Sequence, residues 1–183
     1  MTEILELPGG RLADYHVAGS GIPALLFPGS GGACQRQYSA LFPFVLRTYL
    51  FDLHCPAGQS PEELARRYEQ ARSAIGLRRV VVFGHASGAA AALAYAAMYP
   101  ERTAACVVVA PDGGGAYPLL EHVFCRTLIV AGELDLTSGP AQAAPVAQRI
   151  PHAELVVLPG CGRLPAVEAP GGYRQVVLDF LRG

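Results

Sequence analysis

Few side chains in this sequence could carry acid–base or nucleophilic chemistry, and they lie between short apolar runs. His54 and Cys55 follow the run Thr48–Leu53. His54 is the best candidate for a general acid or base, because the reference pKa of histidine, about 6.5, suits proton transfer near neutral pH. A loop histidine without a catalytic role is still the more frequent case. Cys55 and Cys161 are candidate thiol nucleophiles, although inert cysteines are the usual outcome.

Short apolar runs alternate with amphipathic segments along the chain and indicate the elements that position these side chains. Ile4–Leu7 and Leu12–Val17 alternate in strand fashion around Pro8-Gly9-Gly10 and predict an antiparallel hairpin. Later runs are apolar on both faces, as in strands of a parallel sheet covered by helices. They are Ala24–Phe27, Thr48–Leu53, Val80–Phe83, Ala104–Ala110, Thr127–Ala131 and Glu154–Leu158.

Helices are predicted between these strands. Ser60 and Glu63 suit a capping box with Pro61 at the first helical position, and Gly76 ends that helix. The other predicted helices are Ala33–Arg47, Ser87–Tyr99, Pro140–Arg149 and Gly172–Leu181. This alternation predicts a doubly wound α/β sheet, in which ligands bind at the carboxyl ends of the strands. The loops 28–33, 54–60, 84–88, 111–116, 132–138 and 159–166 should share that rim.

The segment Val80–Ala89 combines a strand, a tight turn of small residues and a helix start. It resembles the nucleophile elbow of the α/β-hydrolase fold, Gly-x-Ser-x-Gly, whose strained turn leaves no room for a Cβ at the glycines. Five further segments resemble the family's other motifs in the family's order. They are Leu26–Ser30, Asp52–Ser60, Tyr99–Arg102, Ala131–Asp135 and Leu158–Pro165. The chain is identified as a member of this superfamily, with a mostly parallel sheet, an N-terminal antiparallel hairpin and helices on both faces.

Two positions depart from the family's catalytic pattern. Ala86 stands at the nucleophile position and has no nucleophilic atom. Arg163 stands where the catalytic histidine belongs, and a guanidinium keeps its proton and cannot act as a general base. Of the implied triad, Asp135 remains. Loss of triad members leaves roughly 10³–10⁴-fold catalysis over water, so we expect no standard acyl-enzyme hydrolysis.

The resemblance also implies features that survive these changes. Its oxyanion hole is built from main-chain N–H groups, here expected from Ser30 and Ser87, and the elbow helix dipole favours negative charge there. We expect Arg163 to form an ion pair with Asp135 and, if it faces the pocket, to offer a fork for an anionic or enolate oxygen. The other expected pocket residues are Pro28, Gly29, Gly84, Gly88 and His85, the last in a structural role.

Relatives commonly insert a helical cap between the sixth and seventh strands. The segment from Pro111 to Cys125 is too short for one. We therefore expect an open site, or one covered by a second copy of the chain or by another protein.

Composition narrows the function classes. The chain has 183 residues, 51% of them apolar, and a formal net charge of −1, which suits one domain over 1–183. All 14 basic residues are arginine and are scattered, which argues against nucleic acid or a membrane as partner and favours a small-molecule ligand. The first residues are acidic where a signal peptide would be basic, so we expect no export. Exclusive use of arginine, with abundant alanine and glycine, suggests a GC-rich bacterial genome.

The five cysteines form no Cys-x-x-Cys pair and no metal-ligand spacing. Their odd number and irregular spacing fit a reducing compartment. We expect a cytoplasmic protein with neither a metal nor a cofactor.

Three functions fit these observations. The first is a non-hydrolytic enzyme of cyclase, isomerase or lyase type that orients a small carbonyl compound. The second is an inactive pseudo-hydrolase that serves as a ligand- or partner-binding subunit. The third is a serine esterase carrying an inactivating Ser→Ala change at position 86, against which Arg163 argues.

Overall fold

A computed structural model describes residues 2–7, 10–27, 29, 40–53, 59–112, 117 and 119–183. They contain an eight-stranded sheet in the order β1-β2-β4-β3-β5-β6-β7-β8. β2 pairs antiparallel with β1 and β4, and the other neighbours are parallel. The predicted hairpin and doubly wound sheet are confirmed. The strands are β1 Thr2–Leu7, β2 Arg11–Gly19, β3 Ile22–Phe27, β4 Leu46–Asp52, β5 Val80–His85, β6 Thr103–Val109, β7 Thr127–Gly132 and β8 Ala153–Leu158.

Five α-helices lie in the described part of the chain. They are α1 Pro61–Ala74, α2 Ser87–Met98, α3 Pro140–Gln148, α4 Pro165–Glu168 and α5 Pro170–Arg182. The predicted capping box opens α1: the Ser60 hydroxyl accepts from Glu63 N, and the Glu63 carboxylate accepts from Ser60 N. These bonds satisfy N–H groups that lack helical partners, and so fix where α1 begins.

The predicted helix Ala33–Arg47 is wrong at its C-terminal end; residues 33–39 lie outside the described part. Residues 40–41 are helical, 43–45 form a turn, and β4 already begins at Leu46. Pro43 cannot donate to a helical hydrogen bond, and Ile22 N instead donates to Val45 O. Because β4 pairs with β3, the strand begins at Leu46, two residues before the start of the apolar run at Thr48.

The core has two layers because β5 alternates its buried side chains between the faces of the sheet. Val80 and Val82 pack with α1, α2 and α3, whereas Val81 and Phe83 pack with α4 and α5. All four side chains are buried. Both layers hold β5 in place, and its carboxyl end is therefore a rigid platform for the turn into α2. Within the described residues, no helix has the length and apolar character required to span a membrane.

Candidate active site

The turn between β5 and α2 has the backbone of a strained elbow. Ala86 adopts φ 52° and ψ −120°, in the region that non-glycine residues rarely occupy. Its N–H donates to Val109 O at 3.0 Å, and its carbonyl accepts from Ala89 N at 3.0 Å. Hydrogen bonds to β6 and to the first turn of α2 thus stabilise the strained conformation of Ala86. Ala86 itself is buried, at 2% exposure.

Main-chain packing around the elbow requires glycine at two positions. A Cβ on Gly84 would lie 2.5 Å from Gly88 O and 2.7 Å from the Cα of Ala89. A Cβ on Gly29 would lie 2.4 Å from His85 O. The loop after β3 therefore approaches the elbow backbone directly, and α2 packs against the end of β5.

His85 joins the elbow to the loop after β8. Its Nε2 lies 3.0 Å from Arg163 O. A carbonyl only accepts, so the ring proton sits on Nε2. Burial lowers the pKa of His85, although the bond to the Arg163 carbonyl opposes this, and the ring is neutral near pH 7.

Asp135 lies in the turn after β7 and is 8% exposed. Its Oδ1 accepts from Thr137 N at 2.9 Å, Thr137 Oγ1 at 2.8 Å and Ser138 N at 3.0 Å. Burial alone would raise the pKa of Asp135, but these hydrogen bonds and the Arg163 charge outweigh it and lower that pKa. Its Oδ2 is buried, and no donor among the described residues reaches it. The carboxylate is therefore ionised, with one open acceptor.

Arg163 does not pair with Asp135, and the expected ion pair is wrong. Its Nη2 donates to Asp112 Oδ1 at 2.6 Å in a salt bridge, and its Nη1 donates to Thr137 Oγ1 at 2.6 Å and Ser138 Oγ at 3.2 Å. The reason is local: Thr137 and Ser138 already saturate the Asp135 oxygen nearest to them and present their own oxygens to the guanidinium. The guanidinium of Arg163 consequently binds residues that follow β6 and β7. Its main-chain carbonyl accepts a hydrogen bond from His85, the last residue of β5.

Asp112 is the residue that the sequence reasoning missed. It is the third residue after β6, and it follows Ala110, whose φ is 46°, and Pro111. The signal for it in the sequence is an acid shortly after a strand buried on both faces, at the edge where parallel strands end. Its Oδ1 also accepts from Ser138 Oγ at 3.0 Å.

Comparison with known proteins supports the same fold. A family model described as the alpha/beta hydrolase fold matches residues 27–124, more than half of the chain. The chain belongs to this family. The matched residues of this hydrolase-fold chain include the elbow segment Val80–Ala89 but neither Asp135 nor Arg163.

One sequence relative and two solved structures illustrate the range of similar proteins. A 2-hydroxy-6-oxo-6-phenylhexa-2,4-dienoate hydrolase from Comamonas testosteroni is 29% identical over an alignment of 119 positions, which covers 57% of this chain and 42% of that protein. The chain thus spans less than half the length of this relative. A thermophilic esterase from Thermogutta terrifontis superposes with a TM-score of 0.85 at 18% identity, covering 100% of this chain and 98% of the esterase. A hydrolase from Pseudomonas aeruginosa gives 0.86 at 15% identity, with the same coverages.

Several predicted site residues of this hydrolase-fold chain lie outside the described residues. They are Pro28, Ser30, His54 and Cys55. Of the remaining predicted residues, Ser87 is exposed and begins α2, and Gly88 is buried beside it. The main-chain N–H of Ser87 therefore lies at the positive end of the helix dipole.

Cysteines and groups of metal-ligating side chains were the other candidate features of this hydrolase-fold site. Cys161 is 1% exposed, and burial raises the pKa of its thiol, which disfavours the thiolate. No three His, Cys, Asp or Glu side chains in the described part of this fold are grouped so that they could hold a metal ion. A small recess lies beside the elbow, lined by Leu26, Phe27, Phe83, Gly84, His85, Val109 and Tyr173.

Proposed function

We propose that this chain binds a small carbonyl compound at the elbow and does not hydrolyse it through an acyl-enzyme. The observation that carries this proposal is Ala86, which keeps the strained backbone of a nucleophile (φ 52°) but presents a methyl group. The backbone of an oxyanion site does not depend on that side chain. A carbonyl oxygen would be held by the N–H groups of Ser30 and Ser87.

The proton chemistry around Ala86 supports the same proposal. Arg163 is permanently charged, and three side chains bind its guanidinium. Asp135 is held ionised by a lowered pKa, which makes it a weak base. His85 is neutral, but its Nε2 proton is given to the Arg163 carbonyl. None of these groups is arranged to activate a nucleophile at position 86.

A bound carbonyl compound could still react without a nucleophile. Positioning and preorganised dipoles accelerate cyclisation, isomerisation or lyase steps in which charge develops on the carbonyl oxygen. A non-hydrolytic enzyme that catalyses such a step is our first candidate function. The second is a binding subunit without turnover, which is favoured by the engagement of Arg163 on three acceptors.

Reconstruction of the missing groups tests the proposal. We expect no aryl-ester hydrolysis above background from the native chain or from Ala86→Ser. The double variant Ala86→Ser with Arg163→His should exceed Ala86→Ser by about 10²-fold, the usual contribution of a general base. Ala86→Ser with Arg163→Gln is the matched control, since it also removes the guanidinium but adds no base. Rapid ester hydrolysis by the native chain would overturn the proposal.

The double variant Ala86→Ser with Arg163→His also allows a test of which carboxylate orients the new histidine. Because Asp135 Oδ2 has no donor among the described residues, adding Asp135→Asn should abolish the regained activity. Adding Asp112→Asn should leave most of it. Thermal unfolding of each variant separates loss of catalysis from loss of fold.

Ligand-induced stabilisation distinguishes the two candidates. A ligand that binds the folded state raises the Tm whether or not it is converted. Mass spectrometry of the same mixtures then reports conversion. A changed ligand mass or retention time supports the enzyme, and an unchanged ligand with a raised Tm supports the binding subunit.

A further inference from the structure

The guanidinium of Arg163 has donors that its protein contacts do not use. Arginine carries five N–H groups. Nη1 gives both of its protons, to Thr137 Oγ1 and Ser138 Oγ, and Nη2 gives one to Asp112 Oδ1. Within the described residues, no acceptor is bound to the remaining proton of Nη2 or to Nε–H.

The positions of the acceptors show which edge stays open. Ser138 Oγ donates to Asp112 Oδ1 at 3.0 Å, so these two oxygens are neighbours. One binds Nη1 and the other binds Nη2, which places both at the end of the guanidinium where Nη1 and Nη2 meet. The open donors are therefore Nε–H and the outer Nη2–H, which point in the same direction along one side. Such a parallel pair matches the two oxygens of a carboxylate.

The side chain that carries this edge is partly exposed and belongs to a loop that contacts the elbow. The Arg163 side chain is 38% exposed, and its own carbonyl is 3.0 Å from Nε2 of His85, the residue before Ala86. A ligand at the elbow would thus lie beside the loop that carries the open edge.

The neighbouring acids do not exclude an anion. Three hydrogen-bond donors stabilise the negative charge of Asp135 through its Oδ1. Glu168 accepts from the N–H groups of Gly162 and Leu164, and Glu133 accepts from Gly160 N. Asp112 opposes an anion most directly, but it is 39% exposed, where water screens its charge.

We infer that the Nε–Nη2 edge of Arg163 binds the carboxylate of the ligand, so that the ligand is a carbonyl compound with an acid group, such as a 2-oxo acid. This inference rests on the proposed function and deepens it, because it adds the charge and shape of a second ligand group. Arg163 is then a binding residue whose other three donors hold it in place.

Titration with benzoylformate against its uncharged amide tests the inference on the native chain. The NMR signal of Arg163 Nε–H, assigned by its loss in Arg163→Lys, should move downfield with the acid and stay in place with the amide. The acid should also bind at least about tenfold more tightly than the amide, as expected for a charge-assisted bidentate contact. An unmoved Nε–H signal at 10 mM benzoylformate, about the millimolar limit of weak binding, would overturn the inference.

Two variants sharpen the result. Arg163→Lys keeps the charge but loses the fork, and should abolish the preference for the acid, measured as the ratio of the affinities for the acid and the amide. Asp112→Asn removes the opposing charge and should strengthen binding of the acid severalfold. A preference that survives Arg163→Lys would show that charge alone, rather than the edge, selects the ligand. Ester hydrolysis, measured separately, decides the proposed function, so the two failures are distinguishable.

Discussion

The elbow and the acid side of the rim are held in place by different kinds of contact. At the elbow, Ala86 has a φ of 52°, and a Cβ on Gly84 would meet main-chain atoms. On the acid side, Asp135 binds the residues that follow it, and Arg163 binds Asp112, Thr137 and Ser138.

The difference arises from the atoms that make the contacts in each region. Main-chain bonds and close packing between β5, β6 and α2 determine the elbow, so its geometry does not depend on the side chain at position 86. Side-chain hydrogen bonds determine the acid side, where the guanidinium of Arg163 binds three side-chain oxygens. The elbow should therefore tolerate side-chain substitutions that would rearrange the acid side.

The largest expected effect is at Gly132, where β7 ends on the acid side. A Cβ there would lie 2.0 Å from Gly162 O and 2.4 Å from Cys161 O, both main-chain atoms that cannot rotate away. Gly132→Ala should lower the free energy of unfolding by about 3 kcal/mol. Gly84→Ala should cost somewhat less, about 2 kcal/mol, because its closest contacts, 2.5 Å and 2.7 Å, are longer than those at Gly132.

Chemical denaturation measures both variants, with Gly171→Ala as the matched control. Nothing lies within 4 Å of a Cβ on Gly171, in the first turn of α5. That change should be neutral or stabilising by up to about 1 kcal/mol. Equal costs at all three glycines would contradict the contrast in packing.

The next largest effect is the loss of stability when Asp135 loses its charge. Its folded pKa lies below the unfolded value of about 3.9, so its stabilisation is present above that pH and is lost as the pH falls through the folded pKa. Asp135→Asn should lose about 1 to 2 kcal/mol at pH 7. Its deficit relative to the native chain should shrink below about pH 4. If the difference in the free energy of unfolding stayed constant from pH 7 to pH 3, the charge of Asp135 would not contribute to stability.

The smallest effect concerns His85 at the elbow. Its folded pKa is also lowered, so the unfolded chain takes up a proton more readily as the pH falls below about 6.5, and stability declines there. The amide of His85→Gln can still donate to Arg163 O but does not titrate. Between pH 7 and pH 5.5 the native Tm should fall about 2 °C more than that of the variant. Parallel Tm curves would show that His85 does not titrate in this range.

Much of the fold was predictable because burial on both faces leaves a clear pattern. The apolar runs located the strands from β3 to β8, and the Ser60–Glu63 box fixed the start of α1. The start of β4 was not predictable, since pairing with β3 rather than local pattern sets it.

The candidate site was predictable in its positions but not in its contacts. The motif order placed Ala86, Asp135 and Arg163 on one rim. It could not show which of two acids the guanidinium reaches, since that depends on loop geometry. The residues Thr137 and Ser138 after Asp135 did carry a signal, because an aspartate followed by hydroxyl residues commonly forms a local turn and is then already occupied.

The contacts of Arg163 fasten together segments that are far apart in the sequence. Its side chain binds Asp112 after β6 and Thr137 and Ser138 after β7. Its carbonyl lies 3.0 Å from Nε2 of His85 at the end of β5, a contact that any residue at position 163 could keep. A substitution at position 163 therefore loosens the loops after β6 and β7 together, while the link to β5 remains.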